Sequence, residues 1–249
     1  MDFSIKKPTH ILALLAMTLV FCITIGLPIL TFFNYLPSTP EGIQSVPAQL
    51  QILFEIILVG LQLSLIIVLF IGVPILWYVL VNRLSIKSIF ERLQLKKQEI
   101  PQAILWGGIT MICSFIMIVI IDIFLLAGGF DPSKQSNIED LEKILSLPSM
   151  VVIISIQPIA EEFFFRGFLL EKINSWKGPT TAVVLPSILF GIAHLSYGKI
   201  YPLVMTGIVG AFLAFFVIKT KNLLTGILAH IFFNITSITL YYLTKNFFP

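Results

Sequence analysis

The segment Gln157-Pro158-Ile159-Ala160-Glu161-Glu162-Phe163-Phe164-Phe165-Arg166-Gly167-Phe168-Leu169-Leu170 places three ionisable side chains inside an apolar run, residues 147–173, long enough to cross a bilayer. Each ionised group at the bilayer centre costs about 2.5–3.5 kcal/mol, so three together cost roughly 8–10 kcal/mol unless protein or trapped water compensates them. Such a cluster is either an ion pair locking two helices together or a functional site. Glu162 and Arg166 stand four residues apart and can neutralise each other. Glu161 has no cation left in the stretch, and this surplus carboxylate favours chemistry over a purely structural pair.

The surroundings define the class. Of 249 residues, 57% are hydrophobic and 12% charged, against about 25% charged in soluble domains. Long apolar runs rich in Phe indicate helices; barrel strands would alternate with polar residues. The expectation is an all-α, polytopic transmembrane bundle of about seven spans, a single integral membrane domain over residues 1–249. Its basic residues sit in short loops between spans, so the net charge of +3 says little about nucleic acid, and the lipid bilayer is the expected partner, with no nucleic acid. Cys22 and Cys113 lie in apolar runs and suggest neither a disulfide framework nor a metal site.

Working outward, the predicted spans are residues 11–33, 52–81, 103–127, 147–173, 180–195, 202–218 and 223–243, with Pro28 and Pro74 as expected bends. The first run is too long for a signal peptide and lacks a small-residue cleavage site. Between residues 82 and 100, Arg83, Lys87, Arg92, Lys96 and Lys97 interleave with Ile86, Ile89, Phe90 and Leu93, the pattern of a basic amphipathic surface helix. Residues 128–146 are acidic, and Ser136-Asn137-Ile138-Glu139 fits a capping box. With the N-terminus inside, eleven Lys and Arg fall on the cytoplasmic side and four outside. The positive-inside rule therefore predicts a multi-pass protein of the cell membrane with a cytoplasmic N-terminus.

Two histidines, His194 and His230, also lie within spans. At about 1.5 Å per residue from the cytoplasmic ends, Glu161 is roughly 18 Å deep, His194 roughly 21 Å, Asn234 roughly 18 Å and His230 roughly 12 Å. Polar groups of three helices at similar depth suit a shared pocket, expected to open to the cytoplasmic half. Residues four apart differ by about 40° around a helix and residues five apart by about 140°, so Arg166 faces Glu162 and not Glu161. Glu161 is left desolvated in the position of a general base. His230 and Asn234 share a face and supply donors for an oxyanion. Phe190 precedes His194 by one turn and walls the pocket; Pro158 loosens the helix before Glu161.

Glu161-Glu162-x-x-x-Arg166, Phe190-x-x-x-His194 and His230-x-x-x-Asn234, in this order on successive hydrophobic segments, resemble the CPBP family of CaaX prenyl proteases and bacteriocin-processing or immunity proteins. The resemblance covers residues 147–243, the expected catalytic core. It implies an intramembrane endopeptidase acting on a peptide or protein near the cytoplasmic leaflet, with Glu161 and His194 activating water and His230 and Asn234 stabilising the oxyanion. Glu162, Arg166 and Phe190 support them. The links at residues 174–179 and 196–201 are shorter than in the eukaryotic CaaX enzymes, which points away from prenylated substrates.

Members of the family are often called metalloproteases, and Glu161, His194 and His230 are a conceivable His₂Glu zinc set. No His-Glu-x-x-His segment exists, and Asn234 beside His230 suits a donor better than a ligand, so no cofactor is expected, with zinc as the alternative. The competing functions are a non-catalytic immunity or scaffolding protein and a proton-coupled transporter. Transporters usually carry internal repeats, and none is visible here.

Overall fold

The computed structural model describes residues 3–35, 47–135, 138–142, 144–195 and 199–247, and among these it is helical without strands. Among the described residues, six helices are long and apolar enough to cross a membrane: α1 (Pro8–Phe32), α2 (Leu50–Leu80), α4 (Ile100–Ala127), α6 (Leu147–Lys177), α8 (Ile200–Thr220) and α9 (Leu223–Lys245). The expected fifth span is the shorter apolar helix α7 (Pro179–Ala193). Two short helices, α3 (Ile86–Arg92) and α5 (Ile138–Glu142), lie in the connections.

Helix α6 is the axis. It packs against α2, α7 and α9, while α8 bridges α7 and α9, and α4 covers the far side of α8 and α9. Small residues permit the closest approaches. Ala103, Gly107, Thr110 and Ser114 form one buried stripe on α4, and a Cβ on Gly107 would lie 3.2 Å from the backbone nitrogen of Ala229. Gly178, with φ of +81°, ends α6, and Pro179 starts α7 immediately after it. Only a residue without a Cβ enters that conformation cheaply, so the reversal needs a single residue.

The bends at Pro28 and Pro74 take a specific form. Each proline follows a π-helical turn, Cys22–Gly26 and Val68–Gly72. A proline ring strikes the carbonyl four residues back, and the wider turn relieves that clash. A third π turn, Phe163–Leu169, follows the two glutamates, and all seven of its residues are buried. Phe164 stacks on Phe70 with ring centroids 4.9 Å apart, and Phe165 meets Phe190 edge-on at 5.1 Å.

The bundle has two unlike ends. At the basic end, Arg92 pairs with Glu171 at 2.8 Å, Lys172 donates to Asn82 at 2.9 Å, and the Leu223 amide donates to the Gln94 carbonyl at 3.1 Å. At the opposite end, the Ser146 amide and hydroxyl donate to Glu55 at 2.6 and 2.8 Å, and Lys245 and Tyr241 hold Glu142 at 2.7 and 2.9 Å.

The basic surface helix is shorter than its charge pattern suggests. Ser85 caps it, accepting from the Ser88 amide at 3.3 Å, and Gln94 breaks the chain direction with φ of +56°. Ile89 and Leu93 dock inward while Ile86 and Phe90 stay exposed, so the apolar residues are divided between the core and the surface. In the expected capping box, Ser136 and Asn137 lie outside the described residues; α5 begins at Ile138.

Candidate active site

Glu162 is wholly buried, and its Oε1 accepts two hydrogen bonds, from Arg166 at 2.7 Å and from His230 Nδ1 at 2.9 Å. The phase argument anticipated the first of these and missed the second. Arg166 also donates to the Gly210 carbonyl at 3.2 Å and lies over the face of Phe190, 4.3 Å from its centroid. The guanidinium is thus matched by a carboxylate, a carbonyl and a π face, and this combination lets a cation sit in the centre of the bundle.

Glu161, on the next position, is held differently. Its Oε1 accepts from Gln157 Nε2 at 2.6 Å, and its Oε2 lies 3.8 Å from His230 Nε2. No cation of α6 bonds it. Gln157 in turn accepts from Gln62 of α2 at 3.3 Å. Gln157 and Gln62 were not singled out in the sequence; an amide in an apolar run was the available signal.

The two histidines are oriented through their Nδ1 atoms. A carboxylate and a carbonyl can only accept, so Nδ1 of His230 carries its proton toward Glu162. In the same way Nδ1 of His194 donates to the Phe190 carbonyl at 2.8 Å. Neutral His194 therefore has its lone pair on Nε2. His194 stands at the C-terminal end of α7, where the helix stops. Phe190 meets both imidazoles edge-on, at 4.7 Å from His194 and 5.6 Å from His230.

These groups line a cavity of about 320 Å³, which Glu161, His194, His230 and Asn234 all reach. Pro158 lies on its wall, where its missing N–H leaves the Ile154 carbonyl without its helical donor. A second cavity, of about 360 Å³, lies against α1 and α2 and shares Gln62, Gln157, Glu161, Phe190 and His194 with the first.

Both cavities run from Glu161 toward the end opposite the basic helix. The first reaches Leu141 and Leu145 and the second reaches Pro28 and Thr31. Toward the basic end the way is filled by the Phe163–Leu169 turn, Tyr78, Leu93 and Leu223. The cavity linings thus extend away from the basic end, whereas the depths along each helix, counted from the basic side, led to an expected opening on that side. Depth along a helix measures distance from an end but not the side on which space is left. The pocket and the basic face therefore do not share a side.

Among the described residues, no three His, Cys, Asp or Glu side chains are grouped to hold a metal ion. His230 Nδ1 pairs with Glu162 and His194 Nδ1 with the Phe190 carbonyl of its own helix, so Nε2 is the nitrogen that each histidine turns to any further partner, and histidines that ligate a metal are commonly held through their other ring N–H in the same way.

Searches of curated proteins and of solved structures find no match. Residues 143–236 match the family model described as type II CAAX prenyl endopeptidase Rce1-like. The matched segment runs from the start of α6 into α9 and contains Glu161, Glu162, Arg166, Phe190, His194, His230 and Asn234, whereas α1, α2 and α4 lie outside it. Residues 143–236, which carry the Glu-Glu-x-x-x-Arg, Phe-x-x-x-His and His-x-x-x-Asn motifs of the pocket, are thus similar to an Rce1-like domain of the CPBP family.

Proposed function

We propose that the chain is an intramembrane endopeptidase in which Glu161 and His194 activate water. The observation that carries this reading is the convergence of Glu161, His194, His230 and Asn234 on one cavity, with Glu162 and Arg166 packed behind them. Glu161 takes a proton from water, and the hydroxide oxygen forms a bond to the carbonyl carbon while the carbonyl π pair moves onto oxygen. His230 and Asn234 donate to that oxyanion. Collapse restores the carbonyl and breaks the C–N bond, and the proton on Glu161 passes to the leaving nitrogen, giving a carboxylic acid and an amine. For His230 to donate through Nε2 it must carry both protons, with Glu162 as its counter-ion at 2.9 Å.

No step in this scheme calls on a metal. The orientation proposed is N-terminus inside, from the bias of eleven basic residues to four. With the basic end in the cytoplasm, the cavities face the outer half of the membrane, and the substrate is a peptide segment reaching Glu161 from that side. The test is hydrolysis by the purified protein and by Glu161→Gln. An immunity or scaffolding protein would keep its cellular phenotype in that variant, and a peptidase would lose it.

A further inference from the structure

Resting on the peptidase reading above, we infer that Gln62 and Gln157 bind the backbone of an extended peptide lying across Glu161, with an apolar side chain on each side of the bond to be cleaved. The two cavities are nearly equal in volume and meet along a wall made by Gln62, Gln157, Glu161, Phe190 and His194. Away from that wall the first is bordered by Met150, Ile153 and Ile154 and the second by Leu65, Ile66 and Leu69. A catalytic carboxylate between two apolar chambers suits a substrate that fills both.

A peptide at this depth must find partners for its N–H and C=O groups, because lipid offers none. Several hydroxyls around the cavities are already committed: Thr24, Thr31, Thr206 and Ser237 donate to carbonyls of their own helices. A carboxamide carries both donors and acceptors, as a peptide group does. Gln62 lies about 18 Å along α2 from Leu50, near mid-membrane, exposed and joined only loosely to Gln157 at 3.3 Å. A simple helix–helix hydrogen bond would explain that contact. It would not explain why the amide pair stands on the partition between the chambers and continues, at 2.6 Å, to the catalytic carboxylate. Gln62 also lies outside the matched segment, so α2 contributes substrate binding that the Rce1-like domain does not hold alone.

The experiment uses full-length protein in detergent micelles with a mixed library of internally quenched peptides, and mass spectrometry to locate each cleaved bond. Cleaved bonds are expected to carry Leu, Ile, Val or Phe on both sides. Gln62→Ala should raise KM about 3–10-fold, the size of one hydrogen bond, with kcat within about 2-fold. Gln157→Ala should lower kcat as well, because it also releases Glu161. If Gln62→Ala melts early, Gln62→Met keeps the length without the amide and carries the same expectation. Cleavage that depends on Glu161 but is selective on one side only, or an unchanged KM in both Gln62 variants, overturns this inference and leaves the peptidase reading standing. A library in which nothing is cleaved in a Glu161-dependent way overturns both.

Discussion

Replacing Glu162 by Gln should damage the protein in a way that replacing Glu161 does not, although the residues are neighbours of the same type. The Glu162 side chain has no exposure, and its Oε1 serves Arg166 and His230 together. Removing its charge leaves the Arg166 guanidinium fully buried without the counter-ion it is paired to, among neutral acceptors and a π face. Breaking a buried pair from one side costs about 3–5 kcal/mol. For a chain of this length that corresponds to a fall in Tm of about 6–20 °C. Glu161 strands no cation, and a glutamine at its position still accepts from Gln157. Glu161→Gln should therefore keep its Tm within about 3 °C of wild type while hydrolysis falls by about 10²–10⁴-fold.

The double variant Glu162→Gln/Arg166→Gln separates charge from geometry. It removes the stranded cation and should recover part of the lost Tm. Activity should stay low, because a glutamine can accept from His230 Nδ1 but cannot balance an imidazolium. The assays are melting in detergent followed by fluorescence of Trp77, Trp106 and Trp176, and turnover on a cleaved peptide, for all four proteins. If Glu161→Gln proves the unstable variant and Glu162→Gln merely slow, the two carboxylates have been assigned the wrong way round.

Gly191→Ala should be the most damaging of the glycine changes around the site, because its Cβ would stand 2.5 Å from the Leu203 carbonyl oxygen, which is backbone and cannot turn aside; Gly210→Ala meets the side chains of Arg166 at 2.9 Å and Phe190 at 3.2 Å and should cost less, within the about 1–3 kcal/mol usual for overpacking, both read as Tm. Single cysteines at Lys96 and Tyr35, in a background without Cys22 and Cys113, should label from opposite faces of the membrane, with Lys96 cytoplasmic; labelling of Tyr35→Cys from the cytoplasm would reverse the proposed orientation. Purified active protein should retain turnover after chelation; stoichiometric zinc, with activity lost to chelator and restored by zinc, would overturn the metal-free mechanism. Glu142 in α5 is held below the usual carboxylate range by hydrogen bonds from Lys245 and Tyr241. Its lowered value means that the α5–α9 contact is present above the ordinary range and lost as pH falls through that value, which a cross-link between the two helices followed against pH would detect.

What was legible in the sequence followed from local rules. Three charges in an apolar run announced a buried site, and four-residue spacing paired Glu162 with Arg166. The π turn at Phe163–Leu169 was not legible, because it differs from an α turn only in how neighbours pack; the phase argument used α geometry across it, and the long Arg166 side chain tolerated the difference. The His230–Glu162 bond joins residues 68 positions apart, and no local spacing encodes it. The same holds for Gln62, whose partner lies 95 residues away. The surface helix was overdrawn because charge periodicity continues through Gln94 while the backbone does not.

The unlike ends of the bundle bear on how the site works. Electrostatic catalysis depends on donors and dipoles that do not reorganise as charge develops. Here the groups needing rigidity, Glu162, Arg166 and His230, are backed by an unbroken wall of aromatic and aliphatic side chains toward the basic end. The groups proposed to meet water and substrate, Glu161, His194 and Asn234, line the cavity on the other side of that wall. The π turn sits where these two requirements meet. By widening α6 directly after the adjacent glutamates, it buries Arg166 beneath Phe190 while Glu161, one residue before Glu162, reaches both cavities. Two carboxylates adjacent in sequence thereby acquire different surroundings, one salt-bridged in packed protein and one hydrogen-bonded at the edge of open space. A proton-coupled transporter would need the second environment to continue through the bundle. The packed side chains beyond Glu161 interrupt such a path, and the same packing is the fixed frame that the proposed hydrolysis calls for.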